Sequence, residues 1–210
     1  MRSHKILAPA MALALLAGGV GSAQAQFMGP SFNSFTLVRP RTIQVARGTM
    51  AVTPTTHWNR IPRGRSDIYL EENWTLNGPV LDGLTFVGGL KHNERIVEQY
   101  RRDDQKVPNF RSDMTPQEIV DMIESYYMIR GGSVSFDMTG LRPRAFLGQP
   151  GFQFDYNRLG GNEVERQGRG VAAVVNGRLY MALFDAARMH YFGAGVGEFE
   201  RIVNSARLRR

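Results

Sequence analysis

The histidines are the first residues to examine for metal binding or acid–base catalysis. Beyond residue 25 the chain has His57, His92 and His190, and none has another histidine three or four residues away. A zinc site would therefore have to be assembled from distant segments. The chain has no cysteine, which excludes disulfides, thiolate metal ligands and a cysteine nucleophile. We therefore predict no metal and no cofactor.

His190 stands in a segment that could line a small cleft. It is followed by Tyr191 and by three glycines, Gly193, Gly195 and Gly197, which precede a predicted helix. Glycines before a helix are typical of phosphate loops, but here the spacing is G-x-G-x-G and no lysine follows. We interpret the glycines as a flexible connector. His190, Tyr191, Gly193 and Gly195 remain the predicted cleft of a small-ligand enzyme such as a hydrolase.

The serines and the paired acids form no recognisable catalytic motif. The chain has no G-x-S-x-G sequence, the signature of a nucleophile elbow. Glu71 and Glu72 are adjacent, so in a strand their side chains would point to opposite faces. We interpret such paired acids as solvated, and we assign no catalytic residue.

Positive charge is concentrated near the N-terminal end of the chain. The formal net charge is +7, and the segment 26–66 contains six arginines and no acidic residue. Such a segment is either a solvated basic face or a contact surface for an acidic protein or anionic lipid. Because the arginines are not interleaved with aromatic residues on a predicted sheet, we exclude nucleic acid as a partner. The proposed contact surface consists of Arg39, Arg41, Arg60, Arg63 and Arg65.

The first 25 residues have the pattern of a secretory signal peptide. Arg2 and Lys5 precede a mostly apolar run from Ile6 to Val20, and the sequence Ala-Gln-Ala ends at Ala25. The apolar run is shorter than the roughly 20 residues that a membrane-spanning helix needs, and no transmembrane segment is predicted elsewhere. We therefore expect cleavage after Ala25 and a periplasmic or secreted protein. Residues 26–41 are predicted to be an N-terminal arm or linker, and residues 42–210 a single domain.

Two helices and about seven strands are predicted to position these residues. The clearest helix has Thr115 as its N-cap, followed by Pro116 and by Glu118 as the capping-box acid. The clearest hairpin turns at Asn176-Gly177, a pair that favours the tight two-residue turn. The other predicted elements are a hairpin over 42–53, strands near 73–76, 81–87, 134–138 and 152–156, and a final helix over 197–208. This order favours an α+β fold with a mostly antiparallel sheet flanked by helices.

The C-terminal half of this pattern resembles the family of PsbP-like photosystem proteins and DcrB-like bacterial envelope proteins. The similar parts are the helix from Thr115 to Arg130, the hairpin GRGVAAVVNGRLYMALFDA, the HYF segment and the helix FERIVNSARL, with Ser205 near its end. The segments ENWTLNGPVLDGLTFVGG and LGQPGFQFDYN resemble a secreted proteobacterial branch. The resemblance implies a PsbP-like α/β/α sandwich without catalytic residues. It also implies a role in binding or assembly.

These observations lead to one expected function and two alternatives. We expect a periplasmic or secreted, non-catalytic binding or assembly accessory protein whose partner is another envelope protein. The first alternative is the small-ligand enzyme with a cleft near His190. The second is peripheral binding to anionic membrane through Phe27, Phe32 and the neighbouring arginines.

Overall fold

An antiparallel sheet lies at the centre of the fold. The computed structural model describes residues 35–62, 71–99 and 104–209. Within these residues the central sheet has eight strands in the order β1-β4-β5-β6-β10-β9-β8-β7, and a second sheet has three in the order β11-β3-β2. The strands are β1 (Thr36–Val38), β2 (Ile43–Val45), β3 (Met50–Val52), β4 (Trp58–Arg60), β5 (Glu71–Thr75), β6 (Asp82–Leu90), β7 (Ser133–Pro143), β8 (Phe152–Gly160), β9 (Glu165–Val175), β10 (Arg178–Ala187) and β11 (Arg207–Leu208). The helices are α1 (Pro116–Ile129) and α2 (Tyr191–Ser205), and a 3-10 turn spans Ala46–Gly48.

The hairpin of β9 and β10 is set by its two-residue turn. Asn176 and Gly177 both have positive φ, 51° and 72°, a combination that asparagine and glycine adopt at low cost. The two strands then pair in continuous register, which places Asp185 opposite Gly168. The predicted hairpin is confirmed.

Helix α1 begins with the predicted capping box. The Thr115 hydroxyl accepts a hydrogen bond from the backbone N–H of Glu118, and the Glu118 carboxylate accepts one from the backbone N–H of Thr115 at 2.7 Å. These contacts satisfy two amides that an α-helix leaves unpaired at its start. The hydrogen bonds from Thr115 also hold the pKa of Glu118 below its ordinary value.

Helix α2 begins at Tyr191 rather than near Gly197, so the prediction of a flexible glycine connector is wrong. Glycine has a low intrinsic helix propensity, but packing against the sheet outweighs that cost here. A Cβ atom at Gly195 would lie 2.5 Å from the ring of Phe184, so only glycine allows this close approach. The helix also ends at Ser205, and the residues after it form β11 instead of a last helical turn.

Successive residues of β10 separate two hydrophobic cores. Met181 and Leu183 belong to the core that includes α1, whereas Ala182 and Phe184 belong to the core that includes α2 and the three-stranded sheet. Since side chains alternate between the faces of a strand, the two helices cover opposite faces of the central sheet. The predicted α+β sandwich is confirmed.

Glu198 and Ser205 bind α2 to the segment that follows β3. The Glu198 carboxylate is buried and accepts hydrogen bonds from the backbone N–H groups of Thr55 at 2.6 Å and Thr56 at 3.2 Å. The Ser205 hydroxyl accepts one from the backbone N–H of Thr53 at 2.7 Å. These side chains satisfy backbone donors between two elements, which gives Ser205 a structural role.

The N-terminal part of the described chain adds an edge strand to the central sheet. Strand β1, within the segment predicted as an arm over 26–41, pairs antiparallel with β4. The predicted hairpin over 42–53 is present as β2 and β3. The predicted signal peptide, residues 1–25, lies outside the described residues, as do Phe27 and Phe32.

Strand β9 carries glycine where aromatic rings of β8 cross it. A Cβ atom at Gly168 would lie 2.1 Å from the ring of Tyr156, and one at Gly170 would lie 2.3 Å from the ring of Phe154. Heavy atoms cannot approach so closely, so no larger residue fits without moving a buried ring. The two glycines therefore fix where Tyr156 can lie.

Replacing Gly168 with alanine is expected to destabilise the protein. The new methyl group would displace the buried ring of Tyr156, and overpacking of this kind costs about 1–3 kcal/mol. Urea unfolding followed by tryptophan fluorescence measures the change in the free energy of unfolding. Gly83→Ala is the matched control, because a Cβ atom at Gly83 in β6 has no heavy atom within 4 Å. Equal stability of the two variants would contradict the packing argument.

Candidate functional site

Asp185, Arg158 and Arg166 form a buried charged cluster at one end of the central sheet. They belong to β10, β8 and β9, which are neighbours, and the register pairs Arg158 with Arg166. The Oδ1 atom of Asp185 accepts hydrogen bonds from Arg158 Nη2 at 3.0 Å and from Arg166 Nε at 2.5 Å. The arginine side chains are only 11% and 8% exposed. One carboxylate therefore binds two shielded guanidinium groups, which we call the arginine pair.

Two tyrosines connect this cluster to α1. The Tyr127 hydroxyl donates to Asp185 Oδ2 at 3.0 Å and lies 2.9 Å from the Tyr156 hydroxyl. Because the single hydroxyl proton of Tyr127 is directed to the carboxylate, Tyr156 must be the donor in the second bond. The guanidinium of Arg158 also lies over the Tyr127 ring, with Cζ 4.7 Å from the ring centroid. This distance is within the range of a cation–π interaction.

Further hydrogen bonds hold the arginine pair to surrounding backbone and side chains. Arg166 donates from Nη1 to the carbonyl oxygen of Val80 at 2.6 Å and from Nη2 to the carbonyl oxygen of Asp185 at 3.1 Å. Arg158 donates from Nη1 to the Ser133 hydroxyl at 3.1 Å. The cluster thereby joins three strands, α1, the start of β7 and the turn between β5 and β6.

The tyrosines remain neutral and the arginine remains charged in this environment. Burial raises the pKa of Tyr127 well above its ordinary value, and the nearby Asp185 raises it further. Burial raises the pKa of Tyr156 as well. For Arg158, burial alone would lower the pKa, but the adjacent Asp185 carboxylate raises it overall. The charges of the cluster are therefore those of two guanidinium groups and one carboxylate.

The walls of three cavities include both Arg158 and Arg166. One of them, of about 210 Å³, is also lined by the acids Asp137 and Glu165. The tyrosine cavity has a volume of about 210 Å³, and Tyr127, Glu71 and Asp82 are among its other lining residues. The glycine cavity has a volume of about 330 Å³. Its walls include two pairs of glycines, Gly131 with Gly132 and Gly160 with Gly161.

Arg158 retains a hydrogen-bond donor that no described residue satisfies. Its Nε atom is buried and has no acceptor within hydrogen-bond distance. A buried donor without an acceptor is unfavourable and is usually satisfied by water or a ligand. The site can therefore accept a group that carries hydrogen-bond acceptors, above all an anion.

The residues of the predicted cleft lie at the start of α2. His190 is exposed, and its ring meets the Tyr191 ring edge-on at a centroid distance of 5.3 Å. Gly193 is exposed, whereas Gly195 is buried against Phe184. None of these four described residues, His190, Tyr191, Gly193 or Gly195, lines the tyrosine cavity or the glycine cavity. An enzymatic cleft near His190 stays a prediction.

The predicted basic surface is only partly described. Arg39 and Arg41 are exposed on the segment after β1. Arg60 donates to the Glu72 carboxylate at 2.8 Å, which holds it against the sheet. Arg63 and Arg65 lie outside the described residues. The role of this surface in partner binding stays a prediction.

The two acids at the start of β5 differ in their surroundings. Glu71 lines the tyrosine cavity, while Glu72 is 4% exposed and accepts a hydrogen bond from the Trp74 indole at 2.7 Å. Our interpretation of both acids as solvated is therefore wrong for Glu72. It accepts donors from Arg60, Trp74 and the backbone of Ala46, and these hydrogen bonds stabilise its burial.

The other two histidines form no metal site with acidic residues of the described chain, and its helices include no candidate membrane span. His92 Nδ1 accepts a hydrogen bond from the backbone N–H of Ser112 at 3.2 Å, and His57 is exposed. Across residues 35–62, 71–99 and 104–209, no group of three or more histidine, aspartate or glutamate side chains could hold a metal ion. No helix in the same ranges is both long and apolar enough to cross a membrane.

Sequence reasoning did not identify the arginine pair, although a signal for it exists. In β8 the inward positions run Phe152, Phe154, Tyr156 and then Arg158, so a charged residue continues an otherwise apolar face. Asp185 continues the inward face of β10 after Leu183 in the same way. Each charge looks unremarkable alone. Only the register of the strands brings the two arginines to one carboxylate.

No protein-family model matches the chain, and no curated protein matches it in sequence. The fold is similar to the solution structure of cyanobacterial PsbP from Synechocystis sp. PCC 6803, with a TM-score of 0.54, 12% identity, and coverage of 86% of this chain and 96% of that one. A Ran-binding protein of Saccharomyces cerevisiae, Mog1p, has a TM-score of 0.49 and 6% identity over 83% of this chain and 96% of its own. LpqN of Mycobacterium tuberculosis, described as involved in cell envelope biogenesis, has a TM-score of 0.43 and 11% identity over 85% of this chain and 93% of its own.

The fold and the first of these similarities define the class of the protein. It is an α+β sandwich with a PsbP-like fold, as the order of elements predicted. At 12% identity the likeness to cyanobacterial PsbP concerns the fold alone. Any function must therefore be argued from the residues of this chain.

The buried tyrosines are expected to make stability depend on alkaline pH. Their pKa values are raised in the folded state, whereas in the unfolded chain they ionise near pH 10. The unfolded state then binds fewer protons, so the free energy of unfolding falls as pH rises above about 10, by about 1.4 kcal/mol per pH unit for each tyrosine. Urea unfolding between pH 8 and pH 11 measures this slope.

Tyr127→Phe combined with Tyr156→Phe removes both groups and should make the decline shallower. The single variant Tyr156→Phe is an independent check and should give about half the change in slope. If both variants lost stability with pH as steeply as the wild type, the buried tyrosines would not be the cause.

Proposed function

We propose that the protein is an exported, non-catalytic binding protein that serves as an accessory factor of the cell envelope. The observation that carries this proposal is the arginine pair, which is fixed in the walls of three cavities at one end of the central sheet. The N-terminal sequence, with its signal-peptide pattern, supports export. The resemblance to PsbP-like and DcrB-like proteins is the reason for preferring an accessory role.

The arrangement of the arginine pair suits recognition because it is already in place. Arg158 is held by Asp185 and Ser133, and Arg166 is held by Asp185 and the Val80 carbonyl. Side chains that are ordered before binding lose little conformational entropy when a ligand arrives. A partner that presents an acidic or phosphorylated group would meet prepositioned donors.

Exposed apolar side chains lie at the same end of the sheet. Val80 is 65% exposed in the turn before β6, and Met189 is fully exposed in the turn before α2. The backbone N–H of Ala187 donates to the carbonyl of Leu81, which places these turns side by side. Apolar residues around a polar recognition group are typical of protein contact surfaces. We propose that the envelope partner contacts this rim, with Arg39 and Arg41 assisting from the basic segment.

A photoreactive amino acid at Val80 or Met189 is expected to crosslink one dominant envelope protein in cells. The matched control position is Arg178, which is also exposed but is the first residue of β10, at the opposite end of that strand. Affinity purification of the tagged protein and mass spectrometry identify the crosslinked product. Equal crosslinking from all three positions, or from none, would contradict a partner-binding rim.

The contribution of the basic segment is tested in the same cells. Arg39→Glu together with Arg41→Glu should lower the yield of the crosslink formed at Val80, because charge reversal removes attraction to an acidic partner. Unchanged yield would exclude a role for these two arginines.

A further inference from the structure

We infer that the glycine cavity binds a phosphate-type oxyanion, held by Arg158 and Arg166. The inference rests on the proposed function, because it names the chemical class of ligand that the same end of the sheet receives. The source of the oxyanion can be free phosphate, a small phosphomonoester or the headgroup of a phospholipid. All three present the same group to the two guanidinium groups.

The charge of the cluster is the first argument. Arg158 and Arg166 share one carboxylate, Asp185, and the two tyrosines that bind the cluster are neutral. Glu71, Asp82, Asp137 and Glu165 line the neighbouring cavities, but the ion pairs described for the two arginines are both with Asp185. Since both arginine side chains are almost completely shielded from solvent, water compensates the second positive charge poorly. An anion next to the pair would balance it.

The hydrogen-bond donors of the pair are the second argument. A guanidinium group has five N–H donors in a planar fork that matches the oxygens of phosphate. Arg158 uses two of its donors, to Asp185 and Ser133, and its buried Nε has no acceptor among residues 35–62, 71–99 and 104–209. Arg166 uses three, to the Oδ1 atom of Asp185, to the backbone carbonyl oxygen of Asp185 and to the Val80 carbonyl oxygen. Several donors therefore remain for the oxygens of a ligand.

The walls of the three cavities decide which one receives the anion. The carboxylates of Asp137 and Glu165 line one of them and would repel an anion there. The tyrosine cavity is lined by the carboxylates of Glu71 and Asp82 as well as the arginine pair, so an anion would be repelled there. No described acidic residue lines the glycine cavity, and besides the arginines its described polar side chain is that of Asn162. Its volume of about 330 Å³ is at the lower end of the roughly 300–1,000 Å³ of small-ligand sites.

The glycines leave one part of the wall of this cavity free of side chains. Gly132 has a φ of +65°, and a Cβ atom there would have no heavy atom within 4 Å. A Cβ atom at Gly161 would touch only the Gly132 carbonyl oxygen, at 3.4 Å. A tetrahedral anion therefore has room beside the backbone. The N–H groups of Gly131, Gly160 and Gly161 already donate to backbone carbonyl oxygens, so the arginine pair must supply the donors to the anion.

Isothermal titration calorimetry of the mature protein with inorganic phosphate, at constant ionic strength, tests the inference. The wild type should bind phosphate saturably at one site. Arg158→Gln should weaken binding by about tenfold or more, because it removes charge-assisted hydrogen bonds. That variant leaves Asp185 paired with Arg166, so its folding should persist, as circular dichroism will verify.

Two further variants separate the site from the general charge of the protein. Gly161→Leu fills the glycine cavity without changing any charge and should also weaken binding by about tenfold or more. Arg178→Gln is the control, because Arg178 is exposed and lines none of the three cavities whose walls include the arginine pair. It removes one positive charge, and its affinity for phosphate should equal that of the wild type.

Flotation with vesicles of phosphatidylcholine, with or without phosphatidic acid, distinguishes the source of the oxyanion. Binding only to vesicles that contain phosphatidic acid, lost in Arg158→Gln and Gly161→Leu, supports a headgroup ligand. Saturable binding of free phosphate with the same variant pattern supports a soluble ligand. Absence of binding in both assays, or equal binding by all variants, would overturn the inference. A partner that still crosslinks at Val80 in that event would leave the proposed function standing.

Discussion

The carboxylate of Asp185, shared between two buried guanidinium groups, is the interaction on which this end of the molecule depends. It fixes the ends of β8, β9 and β10 relative to one another, and through Tyr127 it reaches α1. Removal of one partner from such a cluster leaves a buried charge without compensation, which is costly. The same bonds that hold the sheet end together therefore also hold the arginine pair in the cavity walls.

The opposite face of the sheet uses arginines differently. There Arg169 donates to Asp155 at 2.6 Å and to Glu200 at 2.8 Å, which binds α2 to the strands. Burial alone would raise the pKa of Asp155, but the hydrogen bonds from Arg169 and Arg142 lower it overall. The Arg142 side chain is 51% exposed, so water solvates any excess positive charge. The network of Arg169 therefore has a structural role, because it binds α2 to the sheet. The arginine pair differs from it, because its excess positive charge is shielded from water.

Local sequence signals predicted the elements whose structure depends on local interactions. Thr115 and Glu118 cap α1, and Asn176 with Gly177 turns β9 into β10, because these residues satisfy backbone groups or backbone angles by themselves. The start of α2 was not predicted, because Gly195 is a poor helix former in isolation. Its place in the helix depends on packing against the ring of Phe184, which belongs to strand β10 and not to the helix itself.

The candidate site also depends on tertiary contacts that no local sequence signal indicates. Arg158, Arg166 and Asp185 are each visible as charged residues on inward strand positions, but their sequence separations carry no motif. Register places Arg158 beside Arg166 and joins both strands to β10, so the site exists only once the strands pair. Glu72 likewise could not be recognised as buried, because its donors include the backbone of the distant Ala46.

The sequence by itself determined the capped helix, the main hairpin and the α+β class, and it predicts a signal peptide. These follow from periodicity, capping and turn chemistry, which act within a few residues. Only the tertiary structure decided which charges share one carboxylate, which glycines form a cavity wall and which acids are buried. Such choices depend on strand order and on desolvation, and both arise when distant segments come into contact.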